Sequence, residues 1–592
     1  MTAALLLRYL RPQLGRAALL LGLVLGGIGL QLAAPQAIRL FLDAATAGGA
    51  QRDLLGLALL FLLLSVLERA ATFAAVLVGE RLGWDAINAL RDDLLRHILA
   101  CDMRFHKRHT PGELIERTMG DVDSMGNFFS RFVVDLLGNG LLLVGVLALL
   151  FAEDLRVGLA LGGYIGLTLL AMLWVQRRAT ARFVTVGALS AEQFGFLEER
   201  LLATEDLRAN GAVGHTMRQF SALLARWYRA EIAATLVGTT AFILTEGLLV
   251  IGYALGLGLG AWLYLSGQAT IGAAFVLVYY IGRLAAPLNA LRRQAEDFQH
   301  AAASARRIAD LLAERSGVDA APSAAAPAVW IDARPSHILP ASPVTRGPAS
   351  LDFAGVTFGY HDDDDDGRDA LIDVSFALAA GERLGVLGRT GSGKTTIGRL
   401  VSRLYDPQRG QILLGGADLR ALTLPDLRAS IAVVTQDVQL FSASVRENVR
   451  LFDRAIGDPQ ILAALAELGL DAWLARLPQG LDTPIGAGGL GLSAGEAQLL
   501  AFARALLRDP ALVILDEASS RLDPATERLL DRAVERLLRG RTALIIAHRL
   551  RTLERVDHIL VLEDGRALEF GARAALAGAV DSRYAALLEA DA

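Results

Sequence analysis

Between Ala17 and Ile38 the chain carries no charged residue. At 1.5 Å per residue, on the order of 20 apolar residues cross a hydrocarbon layer about 30 Å thick, so the run predicts a spanning helix. It is too long for the apolar region of a signal peptide. Similar runs follow at Leu54 to Gly79, Phe132 to Ala152, Val157 to Val175, Ile232 to Leu265 and Ile271 to Leu288, and the pattern predicts about six spans. The stretches from Glu80 to Arg131 and from Gln176 to Glu231 are too polar to span and too long to be turns. They read as helices that continue out of the membrane. From Ser316 to Ser350 periodicity is lost among Pro322, Pro327, Pro335, Pro340, Pro343 and Pro348, the composition of a linker. Beyond it, short β-rich runs such as Val356 to Tyr360 and Leu371 to Leu378 alternate with helical stretches, the signature of an α/β domain. The expected layout is a helical transmembrane domain over residues 1–315, a linker over 316–350 and an α/β domain over 351–592.

Composition sharpens this picture. Of 592 residues 53% are hydrophobic and 20% charged, too apolar for an ordinary soluble enzyme or a disordered chain. A net charge of -5 gives no electrostatic case for nucleic-acid binding. The single cysteine, Cys101, excludes an intrachain disulfide and a cysteine-metal cluster. Arg8, Arg11 and Arg16 precede the first run, and Arg81, Arg91, Arg96, Arg104, Lys107 and Arg108 lie between the second and third. Both basic segments are expected in the cytoplasm, and the nearly uncharged connection Ser266-Gly267-Gln268-Ala269 outside. Among ionisable residues within the runs, Glu68, Arg69 and Glu246 are expected to line a wet cavity, whereas Asp135 and Arg283 are expected to snorkel toward the cytoplasmic ends. The acidic run Asp362 to Asp366 reads as a solvated loop tip rather than a metal site.

The chemistry is concentrated in Gly388-Arg389-Thr390-Gly391-Ser392-Gly393-Lys394-Thr395. This matches G-x-x-x-x-G-K-[ST] between an apolar strand, Arg383 to Leu387, and a helical run, Thr396 to Leu404. Glycines let backbone N–H groups approach phosphates, Lys394 suits the β/γ oxygens, and the Thr395 hydroxyl suits Mg²⁺. Gly388 through Thr396 are therefore the expected ATP-binding residues. Downstream, Leu512-Val513-Ile514-Leu515-Asp516 is a buried-strand run ending in a second expected Mg²⁺ partner, and Glu517 can polarise an attacking water.

In this order the motifs resemble those of an ABC transporter half-molecule of the exporter type, and the resemblance covers nearly the whole chain. Its most specific part is Leu492-Ser493-Ala494-Gly495-Glu496, a variant of the L-S-G-G-Q signature. The resemblance implies that Tyr360 stacks on adenine, that Gln436 senses Mg²⁺ and the membrane domain, and that His548 contacts the γ-phosphate. It implies that Asp523 lies in a loop crossing to a partner subunit, and that Ser493 and Gly495 face ATP held by that subunit. It also identifies Arg108 to Ile115 and Thr204 to Gly211 as the segments that couple the ATPase to the membrane domain.

The match is imperfect. Ala494 replaces a glycine and Glu496 a glutamine; Ala497 and Leu499 stand where arginine is common; and in Thr483-Pro484-Ile485-Gly486-Ala487-Gly488-Gly489 an alanine, Ala487, replaces a glutamate. The drifted signature leaves homodimer and heterodimer equally open. The expected function is ATP-driven export of a hydrophobic or amphipathic small molecule by a dimer of half-transporters. The alternatives are a lipid flippase or importer on the same fold, or a module that ATP merely gates. The expected location is a prokaryotic plasma membrane, with the ATPase in the cytoplasm.

Overall fold

The computed structural model describes residues 8–9, 11–131, 138–314, 316–318, 347–360, 368–486, 492–516, 524–547 and 550–591. The chain forms two compact units: Met1–Arg96 with Gly112–Glu314, and His97–Pro111 with Arg315–Ala592.

The first unit is helical. Its long helices are Leu14–Thr46, Gln51–Ala100, Gly138–Glu153, Leu155–Leu202, Val213–Leu265 and Ile271–Ala313. Among the described residues four segments are long and apolar enough to span a membrane: Arg11–Thr46, Gln51–Ala100, Leu155–Met172 and Glu246–Leu265. Gly138–Glu153 and Ile271–Leu284 are shorter apolar helices at the other two expected places. The Gln51–Ala100 helix has 50 residues and is therefore about 75 Å long, more than twice the apolar layer, which accounts for the polar stretch after the second run. Leu55, Leu62 and Phe73 on this helix are exposed, as lipid-facing side chains should be.

Side-chain caps set the short connections at the outer ends. Asp154 Oδ1 accepts from Arg156 N at 2.7 Å and Val157 N at 3.3 Å. Asp43 accepts from Thr270 Oγ1 and Gly272 N, both at 2.9 Å, tying the first helix to the start of the last. Toward the cytoplasmic end a π-helical turn, Arg117–Asp121, carries Asp121, which is buried and accepts from Ser304 Oγ at 2.9 Å and Arg307 Nε at 2.9 Å.

The intramembrane charges take different surroundings. Glu68 is buried, with Arg69 Nε 3.4 Å from its carboxylate, whereas the Arg69 and Glu246 side chains are exposed on the surface of the single chain. Arg283 does not reach for an end of its helix; its Nη2 donates to Tyr279 Oη, one turn back, at 2.9 Å. Asp135 lies outside the described residues.

The second unit is built on β1 (Leu351–Phe358), β2 (Leu371–Leu378), β3 (Arg383–Gly388), β4 (Arg409–Leu414), β5 (Ala417–Asp418), β6 (Ile431–Val434), β7 (Ala443–Ser444), β8 (Pro484–Ile485), β9 (Leu512–Asp516), β10 (Thr542–Ile546), β11 (His558–Glu563) and β12 (Arg566–Ala572). A four-stranded antiparallel sheet has the order β2-β1-β4-β5, and a six-stranded sheet the order β12-β11-β3-β10-β9-β6. In the latter, every pair except β11/β12 is parallel.

Its central strands are continuous apolar runs because both faces are covered. Val513 and Leu515 of β9 enter one core, which includes the Ala494–Leu507 helix, while Leu512 and Ile514 enter another, shared with the antiparallel sheet. The second expected strand appears end to end as β2, and the expected run Val356 to Tyr360 is the last part of β1, with Tyr360 just beyond it. Residues 319–346 of the linker and the acidic run Asp362 to Asp366 lie outside the described residues.

Candidate functional site

The nucleotide motif is positioned by strand register. Val386 of β3, Ile546 of β10 and Asp516 of β9 lie side by side in adjacent parallel strands, and Leu515 pairs with Val434 of β6. Four strands therefore end at one edge: β3 runs into the glycine-rich loop, β6 precedes Gln436, and β9 and β10 end at Asp516 and Ile546. This is the carboxyl edge of a parallel sheet, where ligands of open α/β folds bind. Glu517 and His548 themselves lie outside the described residues, as does Asp523. The Gln436 side chain is exposed, and Asp516 is partly buried at the end of β9.

The loop has the backbone of a phosphate cradle. Gly391 and Gly393 have φ of +87° and +100°, values that glycine adopts without strain. A Cβ on Gly393 would also stand 2.6 Å from both the Ala370 carbonyl oxygen and Leu371 Cδ2, so no side chain fits there. Gly393 is the N-cap of the Lys394–Val401 helix, and its backbone turns the N-terminus of that helix into the loop.

Lys394 is 4% exposed, and its Nζ donates to the Gly388 and Arg389 carbonyls at 2.7 and 3.0 Å. Ser392 is equally buried, and its Oγ has no hydrogen-bond partner among the described residues. A buried hydroxyl left in this state costs about 1–3 kcal/mol, and a phosphate oxygen would satisfy it. Arg389, Thr390, Gly391 and Thr395 are exposed along the loop. The residues present thus fit a nucleotide triphosphate, with the Thr395 hydroxyl and the Asp516 carboxylate as oxygen donors suited to Mg²⁺.

Tyr360 is held beside this helix. Its hydroxyl is 3.1 Å from Thr396 Oγ1 and accepts from Arg399 Nη1 at 3.0 Å. Phe358 and Tyr405 pack against it edge-to-face at 5.0 and 5.2 Å. The preceding backbone is clasped by Gln408, whose Oε1 accepts from Gly359 N and whose Nε2 donates to Gly359 O, at 3.0 and 2.6 Å. Thr396, expected to touch nucleotide, is buried and engaged with Tyr360.

Lys107, in the short Met103–Arg108 helix of the same unit, has its Nζ 5.3 Å from the Tyr360 ring centroid. That helix is capped by Asp102, which accepts from Phe105 N at 3.0 Å and from Gly317 N at 2.6 Å. The first expected coupling segment is split between this helix and Pro111–Glu116, and the second begins with the Thr204–Ala209 helix and runs two residues past its end.

Ser493 and Gly495 are placed elsewhere. Ser493 is the N-cap of the Ala494–Leu507 helix, whose Leu499, Leu500 and Phe502 belong to one core. Ile397 and Leu400, behind the glycine-rich loop, belong to the other. Among the deviant positions upstream, Ala487 lies outside the described residues. Among those described, no cluster of three or more His, Cys, Asp or Glu could hold a metal.

Two structural residues were not expected. Arg504, on the signature helix, donates through Nε to the Asn448 carbonyl at 2.7 Å, through Nη1 to the Gln439 carbonyl at 2.9 Å and through Nη2 to Asn448 Oδ1 at 3.2 Å. Burial pushes its guanidinium below the ordinary arginine value. Asn448 is fully buried and bonds both the N–H and the carbonyl of Phe441. The pair thereby braces the loop that follows Gln436 against the signature helix. An arginine on the apolar face of a helix was the available signal.

Comparison with known proteins agrees with this geometry. Residues 371–520 match the model for the ABC transporter ATPase region, described as ABC transporter, and residues 18–288 match that for the ABC transporter transmembrane region. The chain is 31% identical over 574 residues to an uncharacterized ABC transporter ATP-binding protein of Bacillus subtilis (strain 168), YknV, covering 96% of this chain and 92% of that protein. It is 31% identical to an ATP-dependent lipid A-core flippase of Thiobacillus denitrificans, covering 89% and 87% of the two chains. Among solved structures, a bacterial Atm1-family ABC exporter with ATP bound superposes with a TM-score of 0.80 at 27% identity, over 98% of each chain.

Proposed function

We propose that this chain, which belongs to the ABC transporter family and fuses membrane region and ATPase in one polypeptide, exports a hydrophobic or amphipathic small molecule by alternating access, as one half of a dimer. Membership of the family makes it an ATPase coupled to transport, and its bacterial relatives place it in the plasma membrane. The observation that carries the proposal is the convergence of four parallel strand ends on one phosphate cradle, in a chain whose other half is apolar helix.

In this reading the ammonium of Lys394 leaves the Gly388 and Arg389 carbonyls for the β/γ oxygens of ATP, Ser392 donates its unpartnered hydroxyl, and backbone N–H groups of residues 389–396 complete the cradle. Tyr360 offers its ring to the adenine. Glu517 orients and polarises the attacking water, and His548 contacts the γ-phosphate. Thr395, Gln436 and Asp516 would hold Mg²⁺, which when bound neutralises charge on the β/γ oxygens. Ser493, Gly495 and Asp523 serve the nucleotide of a second half-transporter. Closure of two such units on ATP is passed to the membrane helices through the segments Arg108 to Ile115 and Thr204 to Gly211, and hydrolysis releases it.

Relatives named lipid A-core flippases favour an amphipathic lipid within the proposed substrate class. The test is ATP-dependent accumulation of a fluorescent lipid-like amphiphile in inside-out vesicles, with Glu517→Gln protein as the blank. Accumulation lost in the variant supports export. ATP hydrolysis with outward depletion instead would establish import, and accumulation unchanged in the variant would leave ATP as a gate only.

A further inference from the structure

Two opposite charges inside the apolar runs are left on the surface of the single chain. The Arg69 side chain is 75% exposed, and among the described residues its one paired carboxylate is that of its neighbour Glu68, 3.4 Å from Nε, longer than a charge-assisted bond usually is. Its terminal nitrogens donate to nothing described. Glu246 is exposed and has no ion-pair partner among the described residues. A charge that faces hydrocarbon is costly, so each of the two needs an opposite charge. Their depths agree. Arg69 stands 18 residues beyond Gln51, the outer start of the Gln51–Ala100 helix, and Glu246 stands 19 residues before Leu265, the outer end of the Val213–Leu265 helix. At 1.5 Å per residue each lies about 28 Å from its outer end.

The two helices run in opposite directions, and with Arg69 set beside Glu246 they match turn by turn. One turn outward Val66 meets Val250, one turn inward Phe73 meets Ile243, and three turns outward Leu59 meets Leu257; all six are exposed on the single chain. Spacings of three, four and seven keep each set on one face of its helix. Lipid would satisfy these apolar side chains but not the charges.

We infer that Arg69 pairs with Glu246 of a second copy of this chain, across the interface of the proposed dimer. The inference rests on the reading of the chain as one half of a dimer and names the other half. Two-fold symmetry forms the pair twice, Arg69 to Glu246 and Glu246 to Arg69, so the surface is complementary to itself. A different half-transporter would have to carry both charges at the same depths. The planar fork of the guanidinium suits a carboxylate approached from another helix.

The experiment co-expresses two differently tagged full-length chains, one with Arg69→Cys and one with Glu246→Cys, both with Cys101→Ser to remove the native cysteine. Membranes are treated with a short bismaleimide, and the product carrying both tags is measured. It is expected to exceed at least tenfold the product obtained with Leu67→Cys in place of Arg69→Cys, because Leu67 is exposed as well but lies about 200° round its helix from position 69. Native mass spectrometry of the purified chain on dilution reads dimer dissociation in parallel. Arg69→Glu alone and Glu246→Arg alone are each expected to raise the dissociation constant at least tenfold, and the exchanged pair Arg69→Glu/Glu246→Arg to return it to within threefold of the wild type.

A wild-type dimer whose thiols at 69 and 246 join no better than those at 67 and 246 would overturn the pair and leave the dimer standing, with the two charges then facing the transported amphiphile. Loss of dimer in both single variants without recovery in the exchanged pair would overturn it as well. A wild-type chain that stays monomeric at every concentration would overturn the second copy as partner, and the proposed dimer would then require a different chain.

Discussion

Replacing Arg504 by methionine isolates the brace between the signature helix and the loop after Gln436. The methionine stem fills most of the same space, so the change removes three hydrogen bonds, at 2.7, 2.9 and 3.2 Å, and one buried charge. The Gln439 carbonyl is at the surface and can turn to water. Asn448 Oδ1 keeps its bond from Phe441 N at 2.8 Å. The loss therefore falls on the Asn448 carbonyl, for which an unsatisfied buried acceptor costs about 1–3 kcal/mol. Loss of a charge-assisted donor adds to this, and release of a desolvated guanidinium offsets part of it. The net is about 2 kcal/mol, a factor of roughly 30 in a local opening equilibrium.

Amide hydrogen exchange read by mass spectrometry should show peptides covering Gln439 to Asn448 exchanging roughly 30-fold faster. Peptides covering β9 and β10 should be unchanged. Nucleotide affinity should survive, because nothing in the glycine-rich loop is bonded to Arg504, while stimulation of ATPase activity by transported compounds should fall. Exchange that is unchanged, or that rises equally throughout the ATPase unit, would refute the assignment of Arg504 to this loop.

Gly393→Ala should abolish binding of ATP analogues without unfolding the unit, since it combines a φ of +100° with contacts of 2.6 Å to a backbone oxygen and a leucine methyl. Strain at such a φ alone is about 1–2 kcal/mol. A variant that retained analogue affinity would contradict the cradle geometry. For Asp121, burial raises the carboxyl's pKa, but hydrogen bonds from Arg307 and Ser304 outweigh it and hold the group below the ordinary carboxylate value. A depressed folded pKa means that the stabilisation is complete above the unfolded value, near 3.9, and is lost as pH falls through the folded one. Asp121→Asn should thus lower stability by about 2 kcal/mol at neutral pH, with the difference from wild type shrinking below about pH 4. Thermal unfolding in detergent across pH checks this, and a pH-independent difference would count against it.

Much of this molecule is determined locally and so could be read from the chain. An uncharged run long enough to cross lipid has no alternative to a helix, because every backbone group must be satisfied within it. The spacing of Gly388, Gly391, Gly393 and Lys394 identifies a phosphate cradle, because the requirements for positive φ and for close backbone approach belong to those residues themselves. The same holds for β9, whose apolar run reflects burial on both faces, and for β2, whose alternation of buried and exposed positions reflects burial on one.

What depends on distant partners was not legible. Arg504 and Asn448 are unremarkable letters until the fold brings residues 439–448 against the signature helix. Segment 97–111 is contiguous with membrane helices along the chain but belongs to the ATPase unit in space. Glu496 reads as a drifted glutamine in the sequence; its reciprocal bonds with Ser493 show where its charge is held. Periodicity and motif spacing record what a segment needs from its own backbone and from solvent or lipid, whereas the pairing of a charge is settled only when the tertiary fold chooses its neighbour.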